Sequence, residues 1–397
     1  MSALRVRLLF LNAGHAFDHL FMLLYATAVL VMSVEFDLSY GELLALATPG
    51  FVAFGAGAVP SGWLGDRWSR NGMMTIFFIG IGLASFATGL AATPLQIAVG
   101  LFFIGVFASI YHPVGIAMVV DGPPESVGSR LGVNGVWGNM GVAAAALVAG
   151  ALANWFSWRA AFLVPGVVSV LTGIGFWLFI RSAPPIARGS RPTKKGVGLT
   201  PGWQRVLIVL IVTTLLGGIV FNATTVSLPK VFDDRLASVV ATPLGVGALA
   251  SIVYAIAAFT QIPVGRAIDR YPIRPIFAAL AVGQVAALAL AATAWNWGMF
   301  LAALLVMVMV FGQIPIGDAL IARYTPDVYR SRVYSIKYVI SLGVASLAVP
   351  TIALVYELGG GFTALFLVLA GASVVITGAA MMLPGRSAEA AAPAPAE

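Results

Sequence analysis

Twelve apolar runs of about 20 residues or more, separated by short polar stretches, dominate this chain and leave it little choice of fold. They fall at 8–34, 41–64, 73–92, 95–120, 131–153, 159–181, 204–229, 244–266, 275–294, 298–322, 333–356 and 362–384. A helix rises about 1.5 Å per residue, so about 20 apolar residues cross the ~30 Å hydrocarbon core of a bilayer. Water is absent there, and a helix satisfies its backbone N–H and C=O groups within its own segment. The expected fold class is therefore an all-α polytopic membrane protein with twelve transmembrane helices. Composition agrees: 60% of residues are hydrophobic and 9% charged, whereas roughly a quarter are charged in soluble chains.

The charges that remain are sorted. With the N-terminus placed in the cytoplasm, 18 of the 22 Lys and Arg residues fall on the cytoplasmic side. Arg159, Lys230 and Arg235 fall on the other side, and Lys337 lies within a run. This asymmetry puts both termini in the cytoplasm and explains the net charge of +7 without nucleic acid as a partner. The expected location is the bacterial inner (plasma) membrane, with the lipid bilayer as surroundings and a monomer as the working unit. Arg5 and Arg7 ahead of the first run imitate a signal peptide, but the run far exceeds the 7 to 15 residues of an h-region and is read as a retained first helix. With no cysteine there is no disulfide framework, thiolate metal site or cysteine nucleophile. No set of serine, histidine and acid lies at enzymatic spacing either, so neither an enzyme nor a cofactor is expected.

The chain divides and repeats. Residues 182–203 are rich in proline, glycine and basic side chains and read as a cytoplasmic linker between six-helix bundles at 1–181 and 204–385. Residues 386–397 read as a disordered tail. At an offset of 202 to 204 residues the halves match in four places. Gly14, Phe17 and Asp18 match Gly218, Phe221 and Asn222, while Pro60, Gly62, Asp66 and Arg67 match Pro263, Gly265, Asp269 and Arg270. Pro113 and Gly115 match Pro315 and Gly317, and Ser129, Arg130 and Gly141 match Ser331, Arg332 and Gly343. Two parallel six-helix repeats are an architecture of secondary transporters, with the solute site near the midplane.

The segment GWLGDRWSRNG at 62–72 resembles the signature loop of the major facilitator superfamily, and GRAIDRYPIRP is a degenerate second copy. The resemblance implies the major facilitator fold, a secondary active transporter working by alternating access, and a cytoplasmic gate at Gly62, Asp66, Arg67, Arg70, Asp269 and Arg270. Tyr111-His112-Pro113 and Gly138-Asn139-Met140-Gly141 further resemble the fosmidomycin-resistance type of exporter. That likeness implies efflux.

Against this background the polar residues inside apolar runs stand out, since an ionisable group at mid-membrane costs at least ~2.5 kcal/mol. Asn12, His15, Asp18, His19 and Met22 share about 120° of one helix face. The resemblance places His112 of the fourth helix around the same volume. The leading expectation is proton coupling and substrate binding by His15, Asp18, His19, His112, Asn139, Asn222 and Gln313, for a small polar, possibly anionic solute. Asp318 and Lys337, at equal depth on neighbouring helices, form a candidate ion pair. Gln261 and Gln284 fit site membership and interhelical bonding equally. A second expectation is a transition-metal ion transporter that uses His15, Asp18, His19, Met22 and His112 as nitrogen, carboxylate and thioether ligands. A third is a non-transporting membrane sensor. Asn134 and Trp137, among the glycines of the fifth helix, add cavity polarity, and Trp155, Trp158, Trp295 and Trp297 read as interfacial belts.

Overall fold

A computed structural model describes residues 2–121, 127–183, 203–325 and 327–384, and among these all regular structure is helical. The helices are α1 (Ala3–Val31), α2 (Tyr40–Arg67), α3 (Arg70–Gly89), α4 (Pro94–Val119), α5 (Val127–Trp155) and α6 (Ala160–Ser182). They continue as α7 (Trp203–Arg235), α8 (Pro243–Arg270), α9 (Ile273–Thr293), α10 (Asn296–Ile321), α11 (Asp327–Val355) and α12 (Gly361–Met381). Eleven helical stretches among the described residues are long and apolar enough to cross a membrane, and the last, Val339–Met381, runs for 43 residues. Gly359 (φ 77°) and Gly361 (φ 52°) break it. Positive φ is open to glycine at little cost, so this run is the pair α11 and α12, and the expected twelve helices are present. The linker between 184 and 202 and the tail from 385 onward lie outside the described residues.

Two helices depart from the apolar pattern for identifiable reasons. α7 continues past the expected end at 229 to Arg235. Lys230 Nζ lies 2.8 Å from both Asp233 Oδ2 and Asp234 Oδ1; charges paired at i+3 and i+4 are satisfied by the helix itself and prolong it. α4 is interrupted by a π turn at Tyr111–Gly115 that contains Pro113. Proline offers no N–H to the ladder, and one-turn π bulges recur at functional sites.

The chain forms two compact units, one of Met1–Ser190 with Val226–Ala255 and one of Arg191–Thr225 with Ile256–Glu397. In the first, α1 runs along α5, α3 along α6, and α4 packs on both α2 and α3. The second repeats part of this pattern, with α9 along α12 and against α10. The far part of α7 belongs to the first unit, where Lys230 Nζ stands 5.6 Å from the centre of the Tyr40 ring on α2.

At one end of the first unit Arg159 binds Glu35 through both carboxylate oxygens, at 2.7 and 3.0 Å, and donates to the Ala91 carbonyl at 3.0 Å. Trp158 is 3% exposed and its Nε1 donates to Glu35 Oε2 at 2.7 Å. This corrects its expected place in an interfacial belt, because the indole is held by a carboxylate and stacked under the Arg159 guanidinium, 4.3 Å from the ring centre. Trp155, Trp295 and Trp297 are exposed. Arg159 and Trp158 hold the Glu35 carboxyl below its ordinary value of 4.5 by hydrogen bonding. A depressed carboxyl stabilises the fold above its unfolded pKa and loses that contribution as pH falls through the folded value. Glu35→Gln should therefore lower the melting temperature in detergent at neutral pH by about 1–3 °C, the small effect of a half-exposed pair. Melting curves taken from pH 7 to pH 3 should show variant and wild type converging at the acid end.

Candidate functional site

The site is built on the crossing of α1 and α5. A Cβ at Gly141 would stand 2.2 Å from the Ala16 carbonyl oxygen, and one at Gly138 would stand 2.6 Å from Nε2 of His15. Only glycine permits that approach, which is how helices pack closely where apolar burial gives no drive between them. It puts His15 Nδ1 2.8 Å from the main-chain carbonyl of Asn134. A carbonyl only accepts, so Nδ1 carries the hydrogen and a neutral His15 presents its lone pair on Nε2.

Asn134 is fully buried and ties three helices together. Its Nδ2 donates to Asn12 Oδ1 at 3.0 Å and to the Tyr111 hydroxyl at 2.8 Å, while that hydroxyl donates to the Leu11 carbonyl at 2.8 Å. The Tyr111 ring stacks on His15 with centres 4.9 Å apart. Tyr111 opens the π turn of α4, and the next residue, His112, points its Nε2 at Asp18 Oδ2, 3.2 Å away. Asp18 has no exposed surface, and neither of its oxygens has a hydrogen-bond partner. The approach of His112 is thus an ion-pair distance without hydrogen-bond alignment. His19, half-buried, completes the group, with ring centres 5.0 Å from His15 and 5.6 Å from His112. The ligand atoms of His15, His19 and His112 all lie within 4.8 Å of one another.

So the structure brings together four of the expected residues, His15, Asp18, His19 and His112, all in the first unit. Asn139 is half-buried on α5 beside Gly138. Met22 instead lies in an apolar setting with Phe21, Tyr25, Phe51 and Ile104. In the second unit Asn222 Nδ2 donates to its own helix at the Gly218 carbonyl, 2.8 Å away. Gln313 donates to Gln284, whose Nε2 donates to Ser373 Oγ at 2.7 Å, so the glutamines link α9, α10 and α12. Lys337 Nζ donates to Asp318 Oδ1 at 2.5 Å, joining α10 to α11.

Among the expected gate residues, Gly62 lies against Pro113 of α4. Asp66 is 2.7 Å from Arg70, and the Arg67 guanidinium sits 5.5 Å from the centre of the Trp63 ring. Asp269 and Arg270 are exposed at the end of α8. Sequence reasoning missed the centre of this network. Asp121 accepts from Arg7 at 2.8 Å and lies 3.8 Å from Arg70. Arg130 donates to the Val119 and Val120 carbonyls at 2.9 and 3.2 Å, closing the end of α4. A buried pair between residues 114 positions apart leaves no local pattern; the available signal was an acid at the end of an apolar run with arginine at the matching depth of α1.

The sequence pattern of the Major Facilitator Superfamily matches residues 11–253 and 236–397. The chain is 29% identical to the puromycin resistance protein pur8 of Streptomyces alboniger over 132 residues, 33% of this chain and 26% of that protein. It is 28% identical to the niacin transporter NiaP of Acinetobacter baylyi over 173 residues, 43% of this chain and 38% of that protein. These alignments span well under half of either relative. In fold, a bacterial homologue of the human lysosomal transporter Spinster, in an inward-facing and unoccupied conformation, superposes with a TM-score of 0.75 at 15% identity over 96% of each chain. A D-xylose-proton symporter superposes with a TM-score of 0.75 at 14% identity, over 93% of this chain and 95% of that one.

Asn134→Ala should cost about 1–3 kcal/mol of stability, the penalty for leaving buried partners unbonded. Asn139→Ala should leave melting in detergent unchanged, and thermal shift of the two purified variants makes the comparison.

Proposed function

The chain belongs to the Major Facilitator Superfamily, and from that premise we propose that it is a secondary active transporter that moves a small polar solute by alternating access and draws on the proton gradient through Asp18. Membership makes it a membrane transporter of some solute and not an enzyme. The observation that carries the finer reading is one of position. Asp18 is wholly buried, lacks a hydrogen bond on both oxygens, and has an imidazole 3.2 Å away. A carboxyl kept in that state is costly to the fold, and a neighbouring histidine gives a proton a second place to rest.

The six-helix halves at 1–181 and 204–385 are the proposed moving bodies, in the inner membrane with both termini cytoplasmic, working as a monomer. Asn222, at the position matching Asp18, is the proposed neutral counterpart in the second half, and Gly62, Asp66, Arg67, Arg70, Asp269 and Arg270 are the proposed cytoplasmic gate, in which Arg70 lies 3.8 Å from Asp121. The relatives named for puromycin resistance and for niacin transport support a small organic solute as cargo, and the former supports export.

Purified protein in proteoliposomes under an imposed pH gradient tests this. Solute flux in the wild type should follow the gradient and fall at least tenfold in Asp18→Asn, with solute binding retained. Asp66→Asn should slow cycling more than it weakens binding. Wild-type flux indifferent to the gradient would overturn proton coupling.

A further inference from the structure

We propose that His15, His19 and His112 form a binding site for a divalent transition-metal ion of the zinc type. Three imidazoles from two helices meet, with one ligand nitrogen of each within 4.8 Å of the others. A tetrahedral ion with bonds of about 2.0–2.1 Å needs nitrogens about 3.3 Å apart. Side-chain rotation of the half-buried His19 and His112 can close the remaining gap of up to about 1.5 Å. Three histidines with a fourth position open is an established catalytic zinc arrangement, and imidazole also suits copper, iron and nickel.

One of the rings is already set for such an ion. His15 gives its Nδ1 hydrogen to the Asn134 carbonyl, which leaves Nε2 as the lone-pair nitrogen. Only glycine at 138 keeps that nitrogen uncovered, since a Cβ there would stand 2.6 Å from it. His112 brings its ring to the same point from α4, with Nε2 3.2 Å from Asp18 Oδ2. Metal-ligating histidines almost always give their other ring nitrogen to a carbonyl or a carboxylate, and both kinds of partner are present. Asp18 stands beside His112, where it can take up the ring hydrogen opposite the ion, and Met22 takes no part. The α1–α5 crossing, the π turn of α4 and the otherwise unbonded carboxylate all converge on the three nitrogens.

The site is testable apart from transport. The full chain, purified without a histidine tag in detergent, is titrated with Zn²⁺ by calorimetry and with Co²⁺ by visible absorption. One ion per chain should bind, with a Co²⁺ d–d band. His15→Ala and His19→Gln should each weaken binding at least 100-fold, and Asp18→Asn should weaken it 10- to 100-fold through His112. Melting curves without metal show whether each variant folds, and His19→Gln, on the half-buried ring, is the variant to rely on if His15→Ala does not. Absence of saturable one-to-one binding, or equal affinity in wild type and His19→Gln, would overturn the site. Because no gradient is involved, failure of proton-driven flux would leave this result standing, and failure of metal binding would leave the flux experiment standing.

Discussion

The distance between α1 and α5 governs the first unit. Inside a bilayer the tails around a helix are as apolar as its side chains, so association has to come from close contact and from polar bonds made once contact is close. Gly138 and Gly141 supply the contact. The His15 bond to the Asn134 main chain, and the Asn134 side-chain bonds to Asn12 and Tyr111, supply the rest. Each step depends on the previous one: without the glycines His15 has no room, and without Asn134 the Tyr111 hydroxyl loses a partner on α5. Tyr111 in turn fixes the start of the π turn that aims His112 at Asp18.

The two units use polarity differently, although their sequences repeat. In the first, ionisable side chains are buried: Asp18 near the imidazoles, and Arg7 against Asp121, the latter two each 8% exposed. In the second, a neutral chain runs from Gln313 through Gln284 to Ser373, Asn222 bonds to its own helix, and Lys337 pairs with Asp318. A neutral amide satisfied by another amide costs little to bury and holds helices in place. An acidic side chain without hydrogen bonds costs far more to bury.

Much of this was legible in the sequence because it is periodic or repeated. The runs of apolar residues mark the helices to within a few positions, and the matched pairs Asp18/Asn222 and Asp66/Asp269 expose the repeat in the sequence itself. The His15, Asp18 and His19 stripe followed from helical spacing alone. What spacing could not reveal were partnerships between distant residues: Asn134 as the junction of three helices, Asp121 as the hub for Arg7 and Arg70, and Trp158 bound to Glu35 instead of lying in the interface. Nor does an apolar run record the end of a helix whose charges pair among themselves, which is why α7 extends through Lys230, Asp233 and Asp234.

The π turn at Tyr111–Gly115 also fixes the angular phase of α4. A π bulge holds one residue more than the α-helix around it, and each α-helical residue turns the chain by about 100°. Everything beyond Gly115 is therefore rotated by one position relative to an uninterrupted helix. That offset decides which way Asp121 faces when it meets Arg7, and which carbonyls Arg130 finds at Val119 and Val120. The orientation of His112 in the middle of the helix and the closure of its far end are thereby set by a single extra residue. A chain that shed it would have to re-aim both at once.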